Sequence, residues 1–129
     1  RTHPWAQAGL MIREGLEASS RHGTLLTSPA GGLALEWRPT ARQGSQEREA
    51  IAADALELPI LLRLTRRGNT ITAAYSTDEG RSFQTAGDPI LFTPPLAKVL
   101  HAGLAITAHD ESQITEAKFS GLRIEVLGR

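Results

Sequence analysis

The chain has 129 residues and a mass of 13.9 kDa, one domain's worth of polypeptide, enough to bury roughly two-thirds of its unfolded surface without covalent staples. Its 40% hydrophobic and 22% charged content excludes a disordered tail or a collagenous repeat, and 14 basic residues against 14 acidic ones give no electrostatic pull toward nucleic acid or an anionic membrane. The absence of cysteine excludes a disulfide, a thiolate zinc site and a cysteine nucleophile, and no apolar run approaches the roughly 18–20 residues of a membrane-crossing helix, so no membrane insertion is expected. The chain opens on Arg1 with no signal peptide, so residues 1–129 are expected to be a single domain that is a mature or excised piece of a longer protein.

Trp5 to Glu14 alternates, with Ala8, Leu10 and Ile12 on one face and Gly9, Met11 and Arg13 on the other. That is the period of a half-buried strand. Gly15 to His22 reads as a polar loop. Gly23 to Ser28 reads as a short strand, stopped by Pro29-Ala30-Gly31-Gly32. Leu33, Leu35 and Trp37 then share a face until Pro39. Thr40 to Pro59 admits two readings. Glu, Ala and Leu between Gln46 and Leu58 favour helix, with Ile51, Ala55 and Leu58 at helical spacing. A long loop with a short irregular strand is the preferred alternative.

Ile60, Leu62 and Leu64 alternate up to Arg67-Gly68-Asn69, and Ile71, Ala73 and Tyr75 alternate after it. This pattern predicts a β-hairpin. A turn at Thr77-Asp78-Glu79-Gly80 leads into a short strand, Ser82 to Thr85. Asp88-Pro89 and Pro94-Pro95 bound a loop. Leu100 to His109 predicts another strand, and Thr115 to Leu127 one long strand or two, with Leu122, Ile124 and Val126 inward. Short strands with frequent turns predict an all-β antiparallel sandwich or barrel. The expected core is Leu10, Ile12, Leu35, Leu62, Leu64, Ile71, Tyr75, Leu104, Ile106, Phe119, Leu122 and Ile124.

Ser76 to Phe83 has the S-x-D-x-G-x-[ST]-[FW] pattern of an Asp box. Asp78 is expected to accept hydrogen bonds from the turn, Gly80 to take positive φ and Phe83 to plug the core. This motif organises a turn; it does not catalyse. His109-Asp110-Glu111 lacks a metal-ligand spacing, and adjacent strand residues face opposite ways. Calcium on Asp88 or Asp110 is a weaker option, since no loop concentrates three carboxylates. No metal or cofactor is expected.

Glycoside hydrolysis needs two carboxylates roughly 5–10 Å apart, and no Glu-x-Asp or Glu-x-Glu lies on a clear strand; Glu47 and Glu49 have the spacing, but in the ambiguous segment. There is no G-x-S-x-G, G-x-G-x-x-G or P-loop, so no catalytic residue is assigned. Among the six aromatics, Trp37 and Tyr75 share faces with apolar residues and read as core. Trp5, near the N-terminus, and Phe92, between prolines, are the candidate ligand-stacking rings.

Trp5-Ala6-Gln7-Ala8-Gly9-Leu10-Met11-Ile12-Arg13-Glu14 resembles the W-A-[KQ]-A-G-[VL]-M-I-R-[ED] strand of the concanavalin A-like (laminin-G-like) jelly-roll domains. Further blocks match in order. Leu61 to Thr70 is similar to the family's W-L-R-L-x-R-x-G-N-T, Tyr75 to Phe83 to its Y-S-x-D-G-x-x-W, Ala102 to His109 to its V-G-L-A-V-T-S-H, and Ala117 to Leu122 to its A-x-F-D-N-V. Leu61 and Phe83 depart from the family's aromatics, and Ser120-Gly121 from its Asp-Asn.

The resemblance implies a jelly-roll sandwich serving as an accessory module of secreted or surface-anchored bacterial proteins, hence an extracellular or cell-surface location. It implies a non-catalytic binding or adhesion function, with a glycan as the favoured ligand class. The alternative is a structural domain that binds only protein by β-strand pairing, and a glycoside hydrolase is the remote one. Domains of this kind usually begin with further strands beside the W-A-x-A-G strand. The Ala8–Arg13 strand or its neighbour is therefore expected to lack a partner. It would then pair with N-terminal strands of a parent chain or with a second copy by β-augmentation.

Overall fold

A computed structural model describes residues 7–27, 32–52 and 60–107. They form β1 (Gln7–Arg13), β2 (His22–Thr27), β3 (Leu33–Arg38), β4 (Gln46–Ile51), β5 (Leu61–Arg67), β6 (Thr70–Ser76), β7 (Gln84–Thr85), β8 (Ile90–Leu91) and β9 (His101–Thr107). No helix occurs among the described residues, and every strand pairing is antiparallel. The strands make two sheets in a β-sandwich-like arrangement. One has the order β4-β3-β2-β1-β9; the other is built on β5-β6, with β7 and β8 both pairing with β6. Hereafter these are the five-stranded and four-stranded sheets.

The hairpin β5–β6 turns on Gly68, whose φ of 59° suits glycine. Asn69 does more than turn. Its backbone carbonyl accepts from Phe92 N at 2.8 Å and its side-chain Oδ1 from Leu96 N at 3.1 Å. These bonds draw residues 92–96 onto the open end of the sandwich. Phe92 is consequently 0% exposed and belongs to the core. Its expected role as a freely exposed ring is thereby corrected, since a buried ring cannot stack on a ligand.

The core lies between the sheets. Leu25, Leu33 and Leu35 of the five-stranded sheet meet Ile71, Ala73 and Tyr75 of β6, closed by Ala86, Ile90, Phe92 and Leu96. Burying each large side chain contributes roughly 1.5–3 kcal/mol. The sheets touch closely at Gly23, where an added Cβ would lie 3.2 Å from Ile71 Cδ1. Leu35, Ile71 and Tyr75 fulfil their expected core role, while Ile12, Leu62 and Leu64 pack against the core half-buried. Leu104 does not: it is 47% exposed. Phe119, Leu122, Ile124 and the side chain of Ile106 lie outside the described residues. Phe83, expected to plug the core, is half-buried beneath Arg63, whose guanidinium carbon stands 3.6 Å from the ring centre.

Two further findings concern strands. Within Thr40–Pro59, where a loop with a short irregular strand is the reading preferred over a helix, Gln46–Ile51 forms β4, paired with β3 through an irregularity at Leu33/Ala34. Ladder bonds to β3 override the helix propensity of Glu and Ala, which is a weak preference. Either the Ala8–Arg13 strand or its neighbour is expected to lack a partner; the strand itself is paired on both sides, with β2 and with β9. Among the described residues the edges of the five-stranded sheet are its neighbour β9 and, on the far side, β4.

Candidate functional site

The alternation that sends Leu10, Leu25 and Leu35 inward sends their chain neighbours to the opposite face of the five-stranded sheet. Register aligns these outward residues in rows. One row runs His101, Arg13, His22, Arg38 across β9, β1, β2 and β3. The next runs Gly103, Met11, Thr24, Glu36 and Glu47, reaching β4. The third runs Ala105, Gly9, Leu26, Ala34 and Glu49. The two polar rows bring together two histidines, two arginines, two carboxylates and a hydroxyl from segments far apart in sequence.

His22 and Thr24 form the floor. His22 is 5% exposed, and its Nδ1 lies 2.9 Å from Thr24 Oγ1. Burial, reinforced by the positive charges of Arg38 and Arg13, pushes the His22 pKa down to about 4. The imidazole is therefore neutral near pH 7 and offers one donor and one acceptor nitrogen. Glu36 is half-buried, and its pKa is raised by burial and then by Glu47, with Arg38 opposing. Glu36 and Glu47 are direct cross-strand partners, so their Cβ atoms stand about 5 Å apart. Glu47 and His101 are exposed at opposite flanks.

Both arginines of the first row also build the rim. Arg13 Nε donates to Gly15 O at 2.6 Å, and its second guanidinium nitrogen donates to Glu17 O. Arg38 donates to Ala18 O at 2.7 Å, Ser20 O at 3.2 Å and Gln43 O at 2.9 Å. These charge-assisted bonds strap the 14–20 loop to the end of the sheet where His22 lies.

The opposite side of that loop is fastened by Glu14 and Arg21. Arg21 makes a two-pronged ion pair with the Glu14 carboxylate at 2.7 and 2.6 Å and donates to the carbonyls of Pro94 and Pro95 at 2.7 and 2.9 Å. Glu14 also accepts from Ala97 N at 2.9 Å. The Arg21 bond, ahead of the opposing effect of burial, holds the Glu14 carboxyl below its usual range. Every group in this latch is satisfied, so it reads as architecture that holds the 92–97 segment.

Of the residues singled out from sequence, Trp5 lies outside the described residues and Phe92 is in the core. Asp78 accepts from Ser82 N at 3.0 Å and Ser82 Oγ at 2.6 Å, and Ser76 Oγ donates to it at 2.7 Å. Ser76 Oγ itself accepts from Gly80 N at 2.9 Å, and Gly80 takes a φ of 91°. These bonds, led by that from Ser82, hold the Asp78 pKa at about 2. The turn is a closed hydrogen-bond system remote in sequence from the polar rows. Asp88 gives its backbone carbonyl to Arg48 at 2.7 Å; Asp110 lies outside the described residues. Among the described residues no cluster of three His, Asp or Glu side chains is arranged to hold a metal ion.

Sequence reasoning missed the polar face, although its signal is present: the residues between inward leucines include His22, Thr24, Glu36 and Arg38. What could not be read was the register that makes Glu36 the partner of Glu47. Scans against protein-family models, curated proteins and solved structures find no match to this chain.

Proposed function

We propose that this protein is a non-catalytic binding module of jelly-roll type whose ligand surface is the outward face of the five-stranded sheet. The observation that carries this reading is the pair of polar rows across β9-β1-β2-β3-β4. They set Glu36, Glu47 and His101 around a buried pair, His22 and Thr24, which are 5% and 1% exposed and lie beneath the surface on hydrogen-bonded strands. Such a set of mixed donors and acceptors suits a ligand rich in hydroxyl groups, because each hydroxyl both donates and accepts. A glycan is therefore the ligand class. Met11, half-buried between Gly103 and Thr24, gives the apolar face of a sugar ring a place to rest. With the resemblance to accessory domains, the module belongs to a secreted or surface-anchored bacterial protein and serves adhesion.

Glu36 and Glu47 are cross-strand neighbours, a spacing within the range of two hydrolytic carboxylates, so hydrolysis is the reading against which binding is tested. The test is a broad glycan array followed by calorimetry on any sugar bound. Glu36→Ala is expected to weaken affinity about tenfold, the loss of one hydrogen bond to a charged group, without changing the melting temperature by more than a few degrees. Binding to no sugar would contradict the reading. Release of reducing sugar that Glu36→Gln abolishes would establish hydrolysis in its place.

A further inference from the structure

We propose that the outward face of the four-stranded sheet binds a carboxylate-bearing polysaccharide, which lies along β5 and is gripped at Arg63. The alternation that sends Ile71, Ala73 and Tyr75 into the core turns Arg63, Thr65 and Arg67 of β5 and Thr70, Thr72 and Ala74 of β6 to the other face. Register sets Arg63 against Ala74, Thr65 against Thr72 and Arg67 against Thr70. Arg63 and Arg67 are exposed, and Thr65, Thr70 and Thr72 are half-buried beside them. Thr85 of β7 and Leu91 of β8 extend these rows and are exposed as well.

Arg63 carries the choice of ligand. Its guanidinium carbon stands 3.6 Å from the centre of the Phe83 ring, and the preceding residue, Ser82, is tied to Asp78 through both its backbone N and its hydroxyl. A guanidinium held against a ring keeps its direction, so less freedom is lost when its N–H edge meets a ligand. That edge is a planar fork that matches the two oxygens of a carboxylate, and the small Ala74 opposite leaves room for one. Arg67 follows roughly 13 Å further along the strand, within reach of a second carboxylate on the same polymer. The hydroxyls of Thr65 and Thr72 lie between them and both donate and accept, as sugar hydroxyls do, which favours a polysaccharide over an acidic peptide. Among the described residues the outward positions of this sheet carry arginine but no acidic side chain. The carboxylates of the adjoining turn are engaged locally, Asp78 by Ser76 and Ser82 and Glu79 by Arg81 at 3.8 Å. This face lies on the other sheet from the polar rows and does not depend on the reading given to them.

The test is calorimetric titration of the whole chain at physiological salt with polygalacturonate, with the neutral polymer dextran and with polyglutamate. Polygalacturonate is expected to bind, dextran not to bind, and polyglutamate to bind more weakly than polygalacturonate. Arg63→Ala is expected to weaken the binding of polygalacturonate at least about tenfold, the loss of hydrogen bonds to a charged group. Arg63→Lys keeps the charge but not the fork and is expected to lose affinity severalfold. Arg42→Ala removes the same charge from an exposed position between β3 and β4 and is expected to change affinity less than about twofold. Both Arg63 variants alter an exposed side chain and are expected to keep the wild-type circular dichroism spectrum, so loss of binding is separated from loss of fold. No binding of polygalacturonate, equal binding of dextran or polyglutamate, full affinity in Arg63→Ala or Arg63→Lys, or an Arg42→Ala loss as large as that of Arg63→Ala would each overturn the proposal.

Discussion

β2 and β9 flank the same strand, β1, and one row of leucines crosses all of them. Leu104 on β9 faces Leu10 on β1, Leu10 faces Leu25 on β2, and Leu25 faces Leu35 on β3. Along that row exposure falls from 47% at Leu104 through a half-buried Leu10 to 0% at Leu25 and Leu35. The four residues have the same chemistry, the same face and the same sheet. What differs is the cover: β6 and residues 86–96 close over β2 and β3, and β5 lies against β1 and β2. Alternation decides which face a side chain takes; the opposing layer decides whether that face is a core.

The comparison is broken most severely at Gly9, where β1 passes β2 so closely that an added Cβ would collide with the Leu25 backbone carbonyl. Gly9→Ala is expected to open the β1–β2 ladder and cost more than about 4 kcal/mol, seen as loss of the cooperative thermal transition. Gly103, the outward neighbour of Leu104 on β9, has nothing near a built Cβ, so Gly103→Ala is expected to be nearly neutral in the same melt. Next is the latch. Arg21→Met leaves Glu14 without its buried partner and frees Pro94 and Pro95. It is expected to cost on the order of 3 kcal/mol in urea denaturation.

Acid sharpens the comparison further. The His22 pKa is lowered on folding to about 4 from an ordinary value of 6.5, so the unfolded chain takes up the proton first. The stability associated with neutral His22 is complete above pH 6.5 and is lost as pH falls toward 4, by a few kcal/mol at most. Glu14 and Asp78, whose pKa values are lowered on folding, add losses below the ordinary carboxylate range. Glu36 acts oppositely: its raised pKa means that protonation favours the folded state. Urea midpoints measured from pH 7 to 4 are expected to fall in the wild type and to flatten in His22→Gln. The smallest effect is expected from Glu36→Gln at pH 7, a gain of less than about 1 kcal/mol from relieving a half-buried carboxylate beside Glu47; a loss of stability would contradict the like-charge reading of that pair.

The hairpin β5–β6 was legible because a glycine turn sits between two alternating runs, and both signals are local. β4 was legible only as one of two readings, a short irregular strand against a helix, because Gln46–Ile51 has helical composition and its strand depends on the ladder with β3. Phe92 was misread for a related reason. Its proline-rich surroundings look like an exposed loop, while its burial depends on Asn69, 23 positions earlier, and on Arg21, whose guanidinium lies 5.9 Å from its ring centre. The polar face was half legible: alternation shows which residues leave the core, but only register sets Glu36 opposite Glu47 and His22 between Arg13 and Arg38.

The most direct test of the leucine row is a paired measurement. Leu25→Ala and Leu104→Ala remove the same atoms from the same row. Urea unfolding is expected to show a loss of about 2–5 kcal/mol for Leu25→Ala and under about 1 kcal/mol for Leu104→Ala. Equal losses at the two positions would mean that the core-facing side of β9 is covered like the rest of the sheet, and would contradict the account.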